Sequence, residues 1–163
     1  MSFSFGIITV SDKGSRGERL DTSGQEIRGI LEKEGFTFCD YVIVPDETDQ
    51  ISTALLSYAD EKKIDLIVTT GGTGVSPHDV TPEATLRILD KEIPGMAEEM
   101  RRESVKITPH AMISRAVAGI RGTSLILNLP GSPKGVRENL ATVLPALKHV
   151  IEKIKGDPSD CAV

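Results

Sequence analysis

From its amino terminus the chain alternates two patterns: short, nearly unbroken apolar runs, and longer stretches in which apolar residues return every three or four positions. The first suits strands buried on both faces and the second helices with one buried stripe, so the alternation predicts an α/β domain, a sheet covered by helices. "FGIITV" (residues 5–10) is the first strand. The glycine-rich loop "SDKGSRGERLDTSG" follows, and then a helix with Ile27, Ile30 and Leu31 on one face, stopped by Gly35. "TFCDYVIVP" predicts the second strand, Ile51, Ala54, Leu55 and Tyr58 mark the next helix, and "DLIVTT" is the third strand. Crossovers between parallel strands are right-handed, and ligands gather at the strands' carboxyl ends. The loops beginning at Ser11, Pro45 and Gly71 therefore converge on one candidate site.

In the second half, Thr81-Pro82, Ile93-Pro94 and Thr108-Pro109 each predict a helix start, with threonine as the cap at two of them. "RAVAGIRGTSLILNLP" predicts two strands joined at Gly122, the second buried. "PGSPKG" leads into an apolar-striped segment over residues 136–154, interrupted at Pro145. The polar end "GDPSDCAV" predicts a frayed tail, which leaves one domain over residues 1–156 and a tail over residues 157–163.

Chemistry concentrates in "TTGGTGVSPHDVTPEAT". Glycines admit positive φ and let amides approach a ligand, so "GGTG" after a strand is a candidate nest for phosphate oxygens. The alternative is a plain strand-to-helix turn; neither the P-loop nor the dinucleotide fingerprint is matched. Asp79 stands just before the expected Thr81 cap, whose helix end favours an anion, and Asp46 in "VPDET" takes the corresponding place after the preceding strand. Two carboxylates beside a phosphate nest repel the ligand unless a cation lies between them, which points to Mg²⁺-dependent nucleotide chemistry. The alternative for each aspartate is capping a neighbouring turn. Ser132 misses the nucleophile-elbow spacing and reads as a helix cap before Pro133, while Lys134 opposes the helix dipole. His78, His110 and His149 have no metal-ligand spacing, and Met96, Met100 and Met112 read as core or interface.

Composition narrows the setting. The 163-residue chain carries a formal net charge of −5, which argues against a broad nucleic-acid surface. Two distant cysteines, Cys39 and Cys161, give no disulfide framework, so a reducing, cytoplasmic location is expected. No stretch approaches the roughly 20 apolar residues of a membrane span, so no membrane partner is expected.

In their order and spacing, "TVSD" with "DTSG", "VPDE", "TTGGTG" before "HDVTPEAT", "PGMAEEMR", "TPHAMISRAVAGIRGTSLILNLPGSP" and "LPALKHVIEKIKGD" resemble the molybdopterin adenylyltransferases of the MogA/MoaB family. The same unit occurs as the G domain of eukaryotic molybdenum-cofactor proteins. The resemblance implies a three-layer αβα sandwich with a mostly parallel sheet, assembled as a homotrimer. It implies transfer of AMP from Mg-ATP to the terminal phosphate of molybdopterin, with release of pyrophosphate, and a downstream molybdenum-insertion enzyme as a further partner. Asp46 and Asp79 match the family's functional, metal-holding aspartates. Ser11, Asp12, Gly71, Gly72, Thr73 and Gly74 match its nucleotide side, and Ser114, Arg115, Thr123, Pro130, Gly131 and Ser132 its pterin side. The "PGMAEEM" helix and "ISRAVAGI" strand are the expected trimer face. Two other readings stand beside this one: a pterin-holding module without transferase activity, and a nucleotide-binding α/β domain with an unrelated substrate.

Overall fold

The computed structural model describes residues 2–161, so the end of the expected tail, residues 162–163, lies outside the described residues. Six strands form one sheet in the order β2-β1-β3-β6-β5-β4. They are β1 (Ser4–Val10), β2 (Thr37–Val44), β3 (Leu66–Thr70), β4 (Lys91–Glu92), β5 (Ala118–Arg121) and β6 (Ser124–Leu129). β2, β1, β3 and β6 run parallel, and the short β5 and β4 add antiparallel pairs at one side. Because side chains alternate across a strand, β6 sends Leu125, Leu127 and Leu129 to one face and Ile126 to the other. On the first face pack α2 (Thr22–Lys33), α5 (Pro94–Val105) and α6 (Pro133–Ile154). α3 (Thr48–Leu56) and α4 (Thr81–Leu86) cover the second. The result is three layers, helices on both faces of a mostly parallel sheet, with β1, β3 and β6 buried enough to explain their continuous apolar runs.

Several local expectations are corrected. The loop after β1 contains a short helix, α1 (Asp12–Ser15), capped by Ser11, and Asp21 caps α2. α4 begins one residue earlier than a Thr81 cap requires: Val80 is the cap, and the Thr81 hydroxyl turns inward to donate to Gly71 O at 2.9 Å. Thr108 caps only a 3-10 turn, Pro109–Ile113. α6 runs through Pro145 without a break. Proline there removes one N–H and frees the carbonyl of Ala141, but both residues are exposed, so water can take that carbonyl. Meanwhile the buried stripe Val136, Leu140, Val143, Leu147 and Ile151 carries the helix on. Of the expected trimer face, Met96, Ala97, Met100, Ala116 and Ala118 are buried in the chain's own core, whereas Ile113 is exposed. Among the described residues no helix is long and apolar enough to cross a membrane.

One polar group knits the layers where the strands end. Asn128 is fully buried; its Nδ2 donates to Thr69 Oγ1 at 2.9 Å and Thr85 Oγ1 at 3.1 Å, and its Oδ1 accepts from Val117 N at 3.2 Å. It thereby joins β3, α4 and the segment entering β5 just before the loop at Pro130. Leucine fits the volume but pairs with none of these groups, and each orphaned buried partner costs ~1–3 kcal/mol. Asn128→Leu should therefore lose about 2–4 kcal/mol in urea denaturation, with the slope unchanged. A loss well under 1 kcal/mol would show that the network is dispensable.

Candidate active site

β1, β2, β3 and β6 release their chains at the same edge, so the loops after Val10, Val44, Thr70 and Leu129 meet there. The loop after β3 is the tightest. Gly71 and Gly72 have φ of +101° and +69°, and a Cβ on Gly71 would lie 2.3 Å from Val10 O. Only glycine fits that approach. Every carbonyl of residues 71–74 is tied back: Gly71 O by the Thr81 hydroxyl, Gly72 O by Thr81 N (3.1 Å), Thr73 O by Arg115 N (2.8 Å) and Gly74 O by Arg115 Nε (2.8 Å). The amides are not. Among the described residues Gly72, Thr73 and Gly74 N–H donate to no protein acceptor, the disposition of an anion-binding nest.

Two carboxylates flank this loop. A Cβ on Gly72 would sit 3.3 Å from Asp46 Oδ1, and one on Gly74 2.8 Å from Asp79 Oδ2. Asp46 and Asp12 exchange bonds: Asp12 N donates to Asp46 Oδ2 (3.0 Å) and Asp46 N to Asp12 Oδ1 (2.8 Å). Asp79 does cap a turn, accepting from Ser76 N at 3.0 Å. In each aspartate one oxygen is used structurally. Burial, the neighbouring charges of Asp12 and Asp79, and an opposing bond from Asp12 N act on Asp46; the balance raises its carboxyl above the usual range.

The loop after β6 closes the cleft. Gly131 O accepts from Ser23 Oγ at 2.6 Å and Pro130 O from Thr70 Oγ1 at 2.7 Å, while Ser132 caps α6 by accepting from Gly135 N at 3.0 Å. On one side of this loop a cavity of about 570 Å³ is lined by Ser11, Asp46, Gly71, Gly72, Asp79 and Gly131. On the other a cavity of about 310 Å³ is lined by Thr73, Gly74, Ser114 and Pro130. Ser132 borders both.

A protein-family profile described as a probable molybdopterin binding domain, the molybdenum-cofactor biosynthesis family, matches residues 6–149. The chain belongs to this family. Over 154 residues it is 44% identical to a molybdopterin adenylyltransferase of Helicobacter pylori, covering 93% of this chain and 88% of that one. It is 43% identical to gephyrin of Dictyostelium discoideum, covering 94% of this chain but 23% of that larger protein. The molybdopterin biosynthesis enzyme MoaB from Thermus thermophilus superposes with a TM-score of 0.90 at 52% identity, covering 97% of this chain and 99% of that one.

The resemblance to molybdenum-cofactor biosynthesis proteins marked Arg115 and Thr123 for the pterin side; neither residue lines either cavity. Arg115 clamps the nest: besides its bonds to Thr73 O and Gly74 O, Nη2 donates to Asp79 O at 2.8 Å and Nη1 pairs with Glu83. Thr123 lies in the β5–β6 turn, at the amino end of β6 and away from the cleft. Asp12 enters through its bond to Asp46, with its backbone N–H as the donor. Two more groups line the cleft: Asp21, in the "DTSG" motif that carries the resemblance, and Arg19, which had no sequence signal of its own. Asp21, which lines the larger cavity, accepts from Thr9 Oγ1 (2.7 Å), Gly24 N (2.9 Å) and Tyr41 Oη; burial, then Asp21, raise the Tyr41 hydroxyl's pKa, so it remains a donor. Arg19 adds a cation to the same wall.

An acid whose folded pKa lies above its unfolded value holds its proton more tightly when folded, so ionising it costs stability. For Asp46 that cost is full above the raised value and absent below the ordinary 3.8. In chelator, Asp46→Asn should therefore melt higher than wild type at pH 7, by ~1–3 °C, with the gap closing as pH falls toward 3.8. A variant that melts lower at pH 7 would assign Asp46 a structural role instead.

Proposed function

We propose that the chain is a molybdopterin adenylyltransferase, transferring AMP from Mg-ATP to the terminal phosphate of molybdopterin and releasing pyrophosphate. The observation that carries this reading is the unpaired amide row of Gly72, Thr73 and Gly74 between the carboxylates of Asp46 and Asp79. The names of close relatives over nearly the whole chain support it. Mg²⁺ suits the donor set. Among the described residues no cluster of three or more acidic, histidine or cysteine side chains forms a metal cage, and Mg²⁺ takes one or two carboxylates with phosphates and water rather than such a cage. Asp46 and Asp79 would hold it, and it would neutralise charge on the triphosphate.

The protein's own part is positioning. The nest amides hold phosphate oxygens, Arg115 keeps the nest in shape, and the Pro130–Ser132 turn sets the second substrate against the first. An oxygen of the pterin phosphate bonds to the α-phosphorus, and the bond from that phosphorus to the β-phosphate bridging oxygen breaks. Pyrophosphate leaves with the electron pair. A phosphate monoester with a second pKa near ~6 is already largely dianionic at neutral pH, so no side chain has to remove a proton. Homotrimeric assembly and a cytoplasmic location belong to the same reading; the exposed Ile107, Met112 and Ile113 support the former.

Purified protein with Mg-ATP and molybdopterin should yield adenylylated pterin and pyrophosphate, dependent on magnesium. Asp79→Asn and Asp46→Asn should each lower kcat at least ~100-fold while the protein stays folded. Undiminished turnover in either removes that residue's metal role, and tight pterin binding without product in wild type favours the pterin-holding module.

A further inference from the structure

The smaller cavity carries groups that neither the nest nor the carboxylate pair uses. Its volume, about 310 Å³, lies at the lower end of the roughly 300–1,000 Å³ of small-ligand cavities. Ala111, Ile113 and Pro130 give it apolar walls, and Glu138 and Asn139, adjacent on α6, give it acceptors. Both sit between the buried anchors Val136 and Leu140, so the core sets where they stand. The Glu138 side chain is 23% exposed, and its ion-pair partner Lys134 is 3.9 Å away, at the weak limit of such a pair. Asn139, itself 9% exposed, donates through Nδ2 to Gly135 O at 2.8 Å; among the described residues no donor reaches its Oδ1. Incoming N–H donors would complete the hydrogen bonding of both acceptors.

The complement is a flat ligand with two adjacent N–H donors on one edge. A pterin has that edge: its 2-amino group and N3–H lie side by side, and a carboxylate accepts from both in one planar pair. Building on the adenylyltransferase assignment, we propose that Glu138 receives the 2-amino and N3–H edge of the pterin, with Asn139 Oδ1 as a supplementary acceptor. Glu138 thereby selects pterins over 2-oxo pteridines. The walls hold the ring faces, and Ser132, shared by both cavities, marks where the pterin's phosphate side meets the nucleotide. Glutamine in place of Glu138 offers one acceptor and one donor, which fits the N3–H and 2-oxo edge of a lumazine and clashes with the pterin's two donors.

The test titrates 6-hydroxymethylpterin phosphate and its 2-oxo lumazine counterpart, by fluorescence, into the full chain and into Glu138→Gln. Wild type should bind the pterin at least ~10-fold more tightly than the lumazine, and Glu138→Gln should invert that order. Glu138→Ala, which removes both acceptors, should weaken pterin binding without improving lumazine binding. A Glu138→Gln protein that keeps the wild-type preference or weakens both ligands equally overturns the assignment, as does wild type that binds neither ring. Preference without adenylylated product would leave the pterin edge at Glu138 and remove the transferase activity. Turnover without preference would do the reverse.

Discussion

The cleft depends on how closely the ends of β1 and β3 approach each other. At Gly71 the chain leaves β3 so near Val10 that a Cβ would lie 2.3 Å from the Val10 carbonyl oxygen, and the residue adopts a φ of +101°. Its amide remains in the sheet, donating to Leu129 O at 3.1 Å, while its carbonyl accepts from the Thr81 hydroxyl. One glycine is thus held by β1, β6 and α4 at once. That crowding goes with carbonyls turned back toward Thr81 and Arg115, and among the described residues the amides of Gly72, Thr73 and Gly74 have no protein acceptor. A larger residue would have to separate the two central strands, and the nest would lose its shape with them.

Electrostatics at this edge follow from the same economy of contacts. Arg115 has its donors committed to carbonyls of the glycine loop and to Glu83, whose carboxyl it holds below the usual range through that hydrogen bond. A guanidinium spent in this way shapes the loop but does little to offset Asp46 and Asp79. Burial first, and the charges of Asp12 and Asp79 after it, keep the Asp46 carboxyl above its usual range. A site built so favours a ligand that brings its own cation, which is how nucleoside triphosphates travel.

Much of this was readable in the sequence, because its strongest signals were local. The β1 and β3 runs, the Gly35 stop and the hairpin at Gly122 depend on periodicity and on backbone preferences that a few residues express. The aspartates were legible through their equivalent places after neighbouring strands. What stayed hidden was long-range. Thr81 looked like a cap because threonine before proline usually is one, but Gly71 O, ten residues back, claimed its hydroxyl. Pro145 looked like a break because its cost is local, whereas the stripe that outweighs it becomes visible only once α6 lies on the sheet. Arg115 was marked for the pterin, yet its bonds to Gly74 O and Asp79 O span 41 and 36 residues, beyond any spacing rule. Thr123, matched to the pterin side through the resemblance alone, stands at the amino end of β6 and lines neither cavity.

The loop between the cavities answers a difficulty in the proposed chemistry. Joining two phosphates requires two anions to approach within bonding distance, and each repels the other. Here the nest amides approach from β3 and the amino end of α6 from β6, so partial positive charge arrives from two directions. Ser132 spends its hydroxyl capping α6, and Gly131 and Pro130 are tied to Ser23 and Thr70, so the junction is held by the scaffold before any substrate enters. Preorganisation of this kind costs no reorganisation at the moment of reaction. On this reading the helix whose amino end would face the phosphate also carries, about one turn on, the residues that would fix the ring.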